Sequence, residues 1–213
     1  MSGEFNFIFN NVNGELVYKA TDSTFNHIYE NKEDPWDQSN LENPYYKISR
    51  DKLVKFLINH CHGSSYLEIG CGNGFSTQYL NNRIYGSFSG CDISPVAIDQ
   101  AKSKKSDIEF FTHNIKNKIN NKTYDCIIFS DLLWYILNDL DECINNAFES
   151  LNKNGNIVFY NAFLEDQKYG KDIINGFNGL LEFLNNKYRV KFTYKSRMID
   201  HRYLGIIVFT KNE

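Results

Sequence analysis

The chain has 213 residues, 42% of them hydrophobic, with a formal charge of −3 and an isoelectric point near 6.0. That size and mixed charge describe one folded domain with its own core, and the slight acidity speaks against a nucleic-acid partner, which calls for a basic face. Its five cysteines are an odd number without paired close spacing, which excludes a dense disulfide scaffold. The start of the chain lacks a basic stretch leading into an apolar one, and no apolar run is long enough to cross a bilayer. A cytoplasmic protein that does not engage a membrane is expected.

No repeat or linker divides the sequence, so residues 1–213 are read as a single domain. Residues 1–48 differ in texture from the rest. They are polar, aromatic and turn-rich, with Asp34-Pro35-Trp36-Asp37 and Asn43-Pro44 as breakers. They are read as a lid or substrate-side segment on a core over 49–213. Ser49 is expected to cap a helix whose apolar positions are Leu53, Val54, Leu57 and Ile58. His60-Cys61-His62 is read as the end of that helix rather than as a metal site, because adjacent residues do not converge on one ion. A short strand follows at Tyr66–Ile69, then glycines and a helix to about Leu80. A second strand over Ser87–Cys91 ends at Asp92. Ser94-Pro95 supplies a cap and a proline at the first helical position, opening a helix to about Lys102. The lysines at 102, 104 and 105 are taken as its solvated side.

Further strands are expected at Ile108–Phe111, Tyr124–Phe129 and Asn156–Tyr160, with a helix over Asp139–Leu151 that stops by Asn154-Gly155. A helix over 172–186 precedes two last strands, Tyr188–Tyr194 and Tyr203–Thr210. Strands alternating with helices imply an α/β, doubly wound, mainly parallel sheet of seven strands. The last two strands are joined by only a short turn, so they should form a hairpin and make the final strand antiparallel.

In such sheets the ligand sits beyond the carboxyl ends of the strands, where the strand order switches. That edge collects Glu68 to Gly74, Asp92, His113, Asn114, Ser130, Asp131 and Asn161, and the hairpin turn up to Arg202 lies beside it. The run Glu68-Ile69-Gly70-Cys71-Gly72-Asn73-Gly74 alternates glycines, letting the backbone turn sharply and approach a ligand closely. Asp92 ends the next strand, where a carboxylate accepts from both ribose hydroxyls. Ser94 already fills the capping role that would otherwise explain it.

Three segments, Glu68–Gly74, Gly90-Cys91-Asp92-Ile93-Ser94 and Tyr124–Ser130, resemble the ordered motifs of class I S-adenosylmethionine (SAM)-dependent methyltransferases. Asn152–Ile157 is similar to that family's glycine-containing lead-in to the fifth strand. The resemblance implies a Rossmann-like core with SAM as cofactor and S-adenosylhomocysteine (SAH) as product. It implies that Glu68, Gly70, Cys71 and Gly72 shape the methionine side and that Asp92 holds the ribose. It also implies that Ile93 and Ile115 sandwich the adenine, with His113 and Asn114 at its edge and Ser130 beside the cofactor. Asp34-Pro35-Trp36-Asp37, Pro44-Tyr45 and Ser130–Tyr135 look like the nodulation-type saccharide N-methyltransferases (NodS-like). That group usually has Glu after its Pro-Tyr, where Tyr46 stands here.

Trp36, Tyr45 and Tyr46 are read equally as a staple onto the sheet edge and as site wall, with Trp36 and Tyr45 on the cofactor side. Tyr46, Tyr135, Asn161 and Arg202 are the expected substrate contacts, Arg202 suiting an anionic one. Methyl transfer to a hydroxyl gains from a general base. Asp131 and His201 are the first candidates, with His113 and His27 behind them and no metal expected. The expected activity is methylation of an oxygen or nitrogen on a small saccharide-type metabolite, such as a nucleotide-linked sugar or a surface-glycan precursor in polysaccharide biosynthesis. Methylation of a natural-product phenol is the alternative within enzymes. A non-catalytic SAM-binding partner subunit and a dinucleotide-dependent dehydrogenase lie outside it, and the latter needs G-x-G-x-x-G. Oligomeric state is left open.

Overall fold

Residues 5–104, 107–119, 122–198 and 202–212 are described by a computed structural model. The amino-terminal region is more regular than its polar texture suggested. A short helix α1 (Phe5–Ile8) leads into a hairpin of β1 (Phe9–Val12) and β2 (Glu15–Tyr18), then helix α2 (Asp22–Asn31). The hairpin turns at Asn13-Gly14, both at positive φ (53° and 90°), as a two-residue loop of this handedness requires.

Helix α3 runs from Pro44 to His60, so it starts six residues earlier than a helix capped by Ser49. Asn43, not Ser49, is its cap: the Asn43 side chain accepts from Tyr45 N at 3.0 Å, and Pro44 takes the first helical turn. Ser49 lies buried within the helix, its hydroxyl donating to Tyr46 O. Leu53, Val54 and Leu57 face the core as expected, but Ile58 is 51% exposed and does not.

The core continues as β3 (Ser65–Ile69), α4 (Phe75–Asn81), β4 (Ser87–Asp92), α5 (Pro95–Ser103), β5 (Glu109–Thr112) and β6 (Tyr124–Ser130). Then follow α6 (Leu140–Glu149), β7 (Leu151–Leu164), α7 (Gly176–Lys187), β8 (Arg189–Arg197) and β9 (Arg202–Thr210). The seven-stranded sheet has the order β5-β4-β3-β6-β7-β9-β8. Strand β9 runs antiparallel to both β7 and β8, and the other pairs are parallel. Helix α7 begins at Gly176, later than expected, and β7 extends four residues past Tyr160 because its end pairs with Arg202–Gly205 of β9.

Strand alternation sends residues to the two faces of the sheet. Leu67, Ile127, Phe129, Ile157, Phe159, Ile207 and Phe209 pack under α6 and α7. Tyr66, Cys126, Ile128, Val158, Ile206 and Val208 pack under α3 and α4. With both faces covered, only the strand ends are open. The chain steps outward from β3 to β5 and then returns to β6 on the other side of β3, so the switch in strand order lies between β3 and β6. Among the described residues no helix is long and apolar enough to cross a membrane, and no cluster of metal-ligating side chains occurs.

Candidate active site

The turn after β3 is tied to the end of β4. Gly70 N and Cys71 N both donate to Cys91 O, at 2.9 and 3.0 Å. Gly72 N donates to one oxygen of Asp92 and Ser94 N to the other, each at 2.9 Å. Asp92 therefore locks the glycine turn to its own strand end, in addition to facing the cavity. Burial raises its pKa, and the amides of Ser94 and Gly72 work against that rise by stabilising the charged form. Ser94 caps α5 as expected, accepting from Ala97 N at 3.2 Å, and its hydroxyl donates to Asn26 of α2 at 2.8 Å.

A cavity of about 310 Å³ opens along this edge, within the range of small-molecule sites. It brings together Gly70, Asp92, Ile93, His113, Asn114, Ile115, Ser130 and Asp131 from the core with Trp36, Tyr45, Tyr46, Tyr135 and Arg202. Four expected residues stand behind that wall instead. Glu68 is fully buried and accepts from Thr77 of α4 at 2.6 Å, while its second oxygen has no partner among the described residues. Cys71 turns its thiol into a small cluster with Ile98, Ala101, Ile108 and Phe110. Gly72 is covered by Tyr29. Asn161 lies inside β7 and spends its side chain on the backbone, accepting from Leu133 N at 3.1 Å and donating to Ala162 O at 2.8 Å. It therefore supports the turn after β6 and does not meet a substrate. His201 lies outside the described residues.

Asp131 follows β6 at a φ of 49°, a left-handed conformation that a β-carbon makes costly. Its Oδ1 accepts from Ala162 N at 2.7 Å, and its own N–H donates to Tyr160 O at 2.8 Å. Desolvation pushes the carboxyl up to about 6, against the opposing charges of Arg202 and Arg50. His113 Nε2 donates to Asn117 O at 3.0 Å, and burial lowers the pKa of the ring. The Asn114 carbonyl accepts from Lys116 N at 3.0 Å, which leaves one lone pair for a ligand. His27 is exposed, pairs with the Phe7 ring and Asn31, and stays off the cavity wall.

The roof comes from the amino-terminal residues. Tyr18, Phe25, Tyr29, Trp36, Tyr45 and Tyr46 all reach the cavity. Tyr46 donates to Trp36 O, which ties the two halves of the roof together. Tyr29, legible in the sequence only as one of several amino-terminal aromatics, stands over the glycine turn. A β-carbon on Gly72, whose φ is +53°, would lie 2.4 Å from the Tyr29 hydroxyl, so glycine is needed there for the close approach as well as the turn. Helix α2 is held over the turn by Asn73 donating to Glu33 O (2.6 Å) and Gln100 to Tyr29 O (3.1 Å). Lys104, expected to be solvated, joins this seam by donating to Asn73 O at 3.1 Å, and burial lowers its pKa.

Residues 67–159 match the methyltransferase domain family. That stretch, which carries the glycine turn and Asp92, is therefore similar to S-adenosylmethionine-dependent methyltransferase domains. The fold agrees with that of N-methyltransferase NodS from Bradyrhizobium japonicum WM9 in complex with SAH, at a TM-score of 0.72 and 20% identity over 92% of this chain and all of that one. It also agrees with magnesium protoporphyrin IX methyltransferase (ChlM) from Synechocystis PCC 6803 with bound SAH, at 0.65 and 14% identity over 90% of this chain. In sequence the methyltransferase domain is 32% identical to malonyl-[acyl-carrier protein] O-methyltransferase 1 of Ilyobacter polytropus over 117 residues. That match spans 53% of this chain and 43% of the relative, so the chain covers less than half of that protein's length.

Proposed function

We propose that the chain is a single-domain enzyme that transfers the methyl group of SAM to an oxygen or nitrogen of a small saccharide-type metabolite, with residues 1–48 forming the acceptor-side wall. The observation that carries this reading is one continuous cavity from Asp92 to Asp131, roofed by Trp36, Tyr45 and Tyr46. SAM brings an already activated methyl group, so the protein's work is to hold two reactants in line and keep water out.

In this reading Asp92 takes the ribose hydroxyls, Ile93 and Ile115 flank the adenine, and Asn114 meets its amine. Within the glycine turn it is Gly70 that lines the cavity, and it takes the remainder of the nucleoside amino acid. Asp131, poised near neutrality at the other end, accepts the proton of a hydroxyl acceptor. A nucleotide-linked sugar or surface-glycan precursor suits the likeness of 34–46 to saccharide N-methyltransferases, and five buried, unpaired cysteines suit the cytoplasm.

The aromatic lining favours one second reading, a natural-product phenol as acceptor. Incubation with methyl-labelled SAM and parallel panels of nucleotide sugars, amino sugars and phenols tests both. Label in a sugar supports the first reading and label in a phenol the second. No label in any panel, from protein that binds SAH, would contradict both.

A further inference from the structure

Tyr29 belongs to helix α2, is 6% exposed and lines the cavity together with Asp92. Its ring packs against that of Trp36 at 5.4 Å, and its hydroxyl stands directly over Gly72, where a β-carbon would collide with it. Gly72 donates its own amide to an oxygen of Asp92, so the hydroxyl and that carboxylate flank one peptide. Burial, and then the charge of Asp92, raise the pKa of Tyr29, which keeps the hydroxyl protonated. It makes no hydrogen bond with the described residues. A phenol buried in this way is costly until a partner atom is brought to it. The other donors around this point are already spent. Gly70 N and Cys71 N bond to Cys91 O, Gly74 N to Cys71 O, and Gly72 N and Ser94 N to Asp92. Asp92, when ionised, only accepts. A ribose hydroxyl can give its proton to Asp92, but its own oxygen is then left without a donor, and Tyr29 carries one.

We infer that Tyr29 is a second ribose contact, its hydroxyl donating to a hydroxyl oxygen of the adenosyl ligand while Asp92 accepts from the same sugar. The inference rests on the proposed place of Asp92 at the ribose and adds the donor that a carboxylate cannot supply. It also gives the amino-terminal segment a part in holding the cofactor, beyond its part in walling the acceptor.

The test is calorimetric titration of the full chain with SAH, adenosine, 2′-deoxyadenosine and 3′-deoxyadenosine, on unaltered protein and on Tyr29→Phe. The variant keeps the ring over Gly72 and loses only an unpaired hydroxyl, so the thermal midpoint of the ligand-free protein should not fall. SAH and adenosine should each bind the variant about two- to tenfold more weakly, the size of one neutral hydrogen bond. One of the two deoxy ligands should bind the variant and the unaltered protein alike, which identifies the hydroxyl that Tyr29 meets. Unchanged adenosine affinity in Tyr29→Phe, or an equal loss for adenosine and both deoxy ligands, would overturn the inference and leave the adenosyl site standing. Failure of the unaltered protein to bind either SAH or adenosine would remove the site reading, and the inference with it.

Discussion

Asp92 holds the glycine turn and, in the proposed site, takes the ribose, and a pair of substitutions can separate the two roles. Its carboxylate accepts from Gly72 N and Ser94 N, both at 2.9 Å and both buried. Asp92→Ala leaves these amides without an acceptor, each costing about 1–3 kcal/mol, so roughly 2–6 kcal/mol of stability should be lost. The same variant removes the charged acceptor proposed for the ribose, and SAH should bind more weakly by about 1–3 kcal/mol, roughly five- to 150-fold. Asp92→Asn keeps one acceptor oxygen and turns its NH₂ against the other amide. It should therefore lose less stability than alanine while still weakening SAH. Urea unfolding reads the first quantity and calorimetry the second. If stability falls in both variants while SAH affinity stays unchanged, Asp92 is a lock for the glycine turn alone and its cofactor role is refuted.

Three further outcomes are expected. With a hydroxyl acceptor, kcat/KM should rise with pH through an inflection near 6 as Asp131 loses its proton. Asp131→Asn should flatten that limb and lower turnover by about 10²–10⁴-fold; an unchanged profile would move the base elsewhere. Gly72→Ala should cost about 1–2 kcal/mol from its left-handed backbone alone, with a further loss from the Tyr29 hydroxyl 2.4 Å from the new carbon. Adding Tyr29→Phe should recover only that further loss, which a double-mutant cycle in urea reads directly. Ser94→Ala removes both the cap on Ala97 N and the bridge to Asn26; about 0.5–2 kcal/mol of stability should go with it, seen as a lower thermal midpoint.

The sheet was legible because its strands are short apolar runs between strong punctuation. Ser94-Pro95 marks a boundary by its own backbone chemistry, and Asp92 closes an apolar strand at the cavity edge, whereas Asn154-Gly155, expected to follow the helix, lies inside β7 with Asn154 at a φ of 68°. The amino-terminal third was less legible because its signals are local and compete. Asn13-Gly14 between Asn11-Val12 and Glu15-Leu16 was a readable hairpin turn, hidden by polar flanks. Asn43-Pro44 was readable as a cap with proline after it, but the same dipeptide also marks a break, and Ser49 offered a rival cap. Nothing local distinguishes Asn161 inside a lengthened strand from Asn161 just after one, since its position depends on pairing with residues more than forty positions away. Arg50 carried no signal at all, and Tyr29 was legible only as one of several amino-terminal aromatics. A tyrosine and an arginine in amphipathic helices look solvated until tertiary packing buries them.

The most direct test of the central claim is calorimetric titration of the purified protein with SAM, SAH and NAD. The account predicts that SAM and SAH bind at one site and that NAD does not. Binding of NAD in place of the two adenosyl ligands would contradict it.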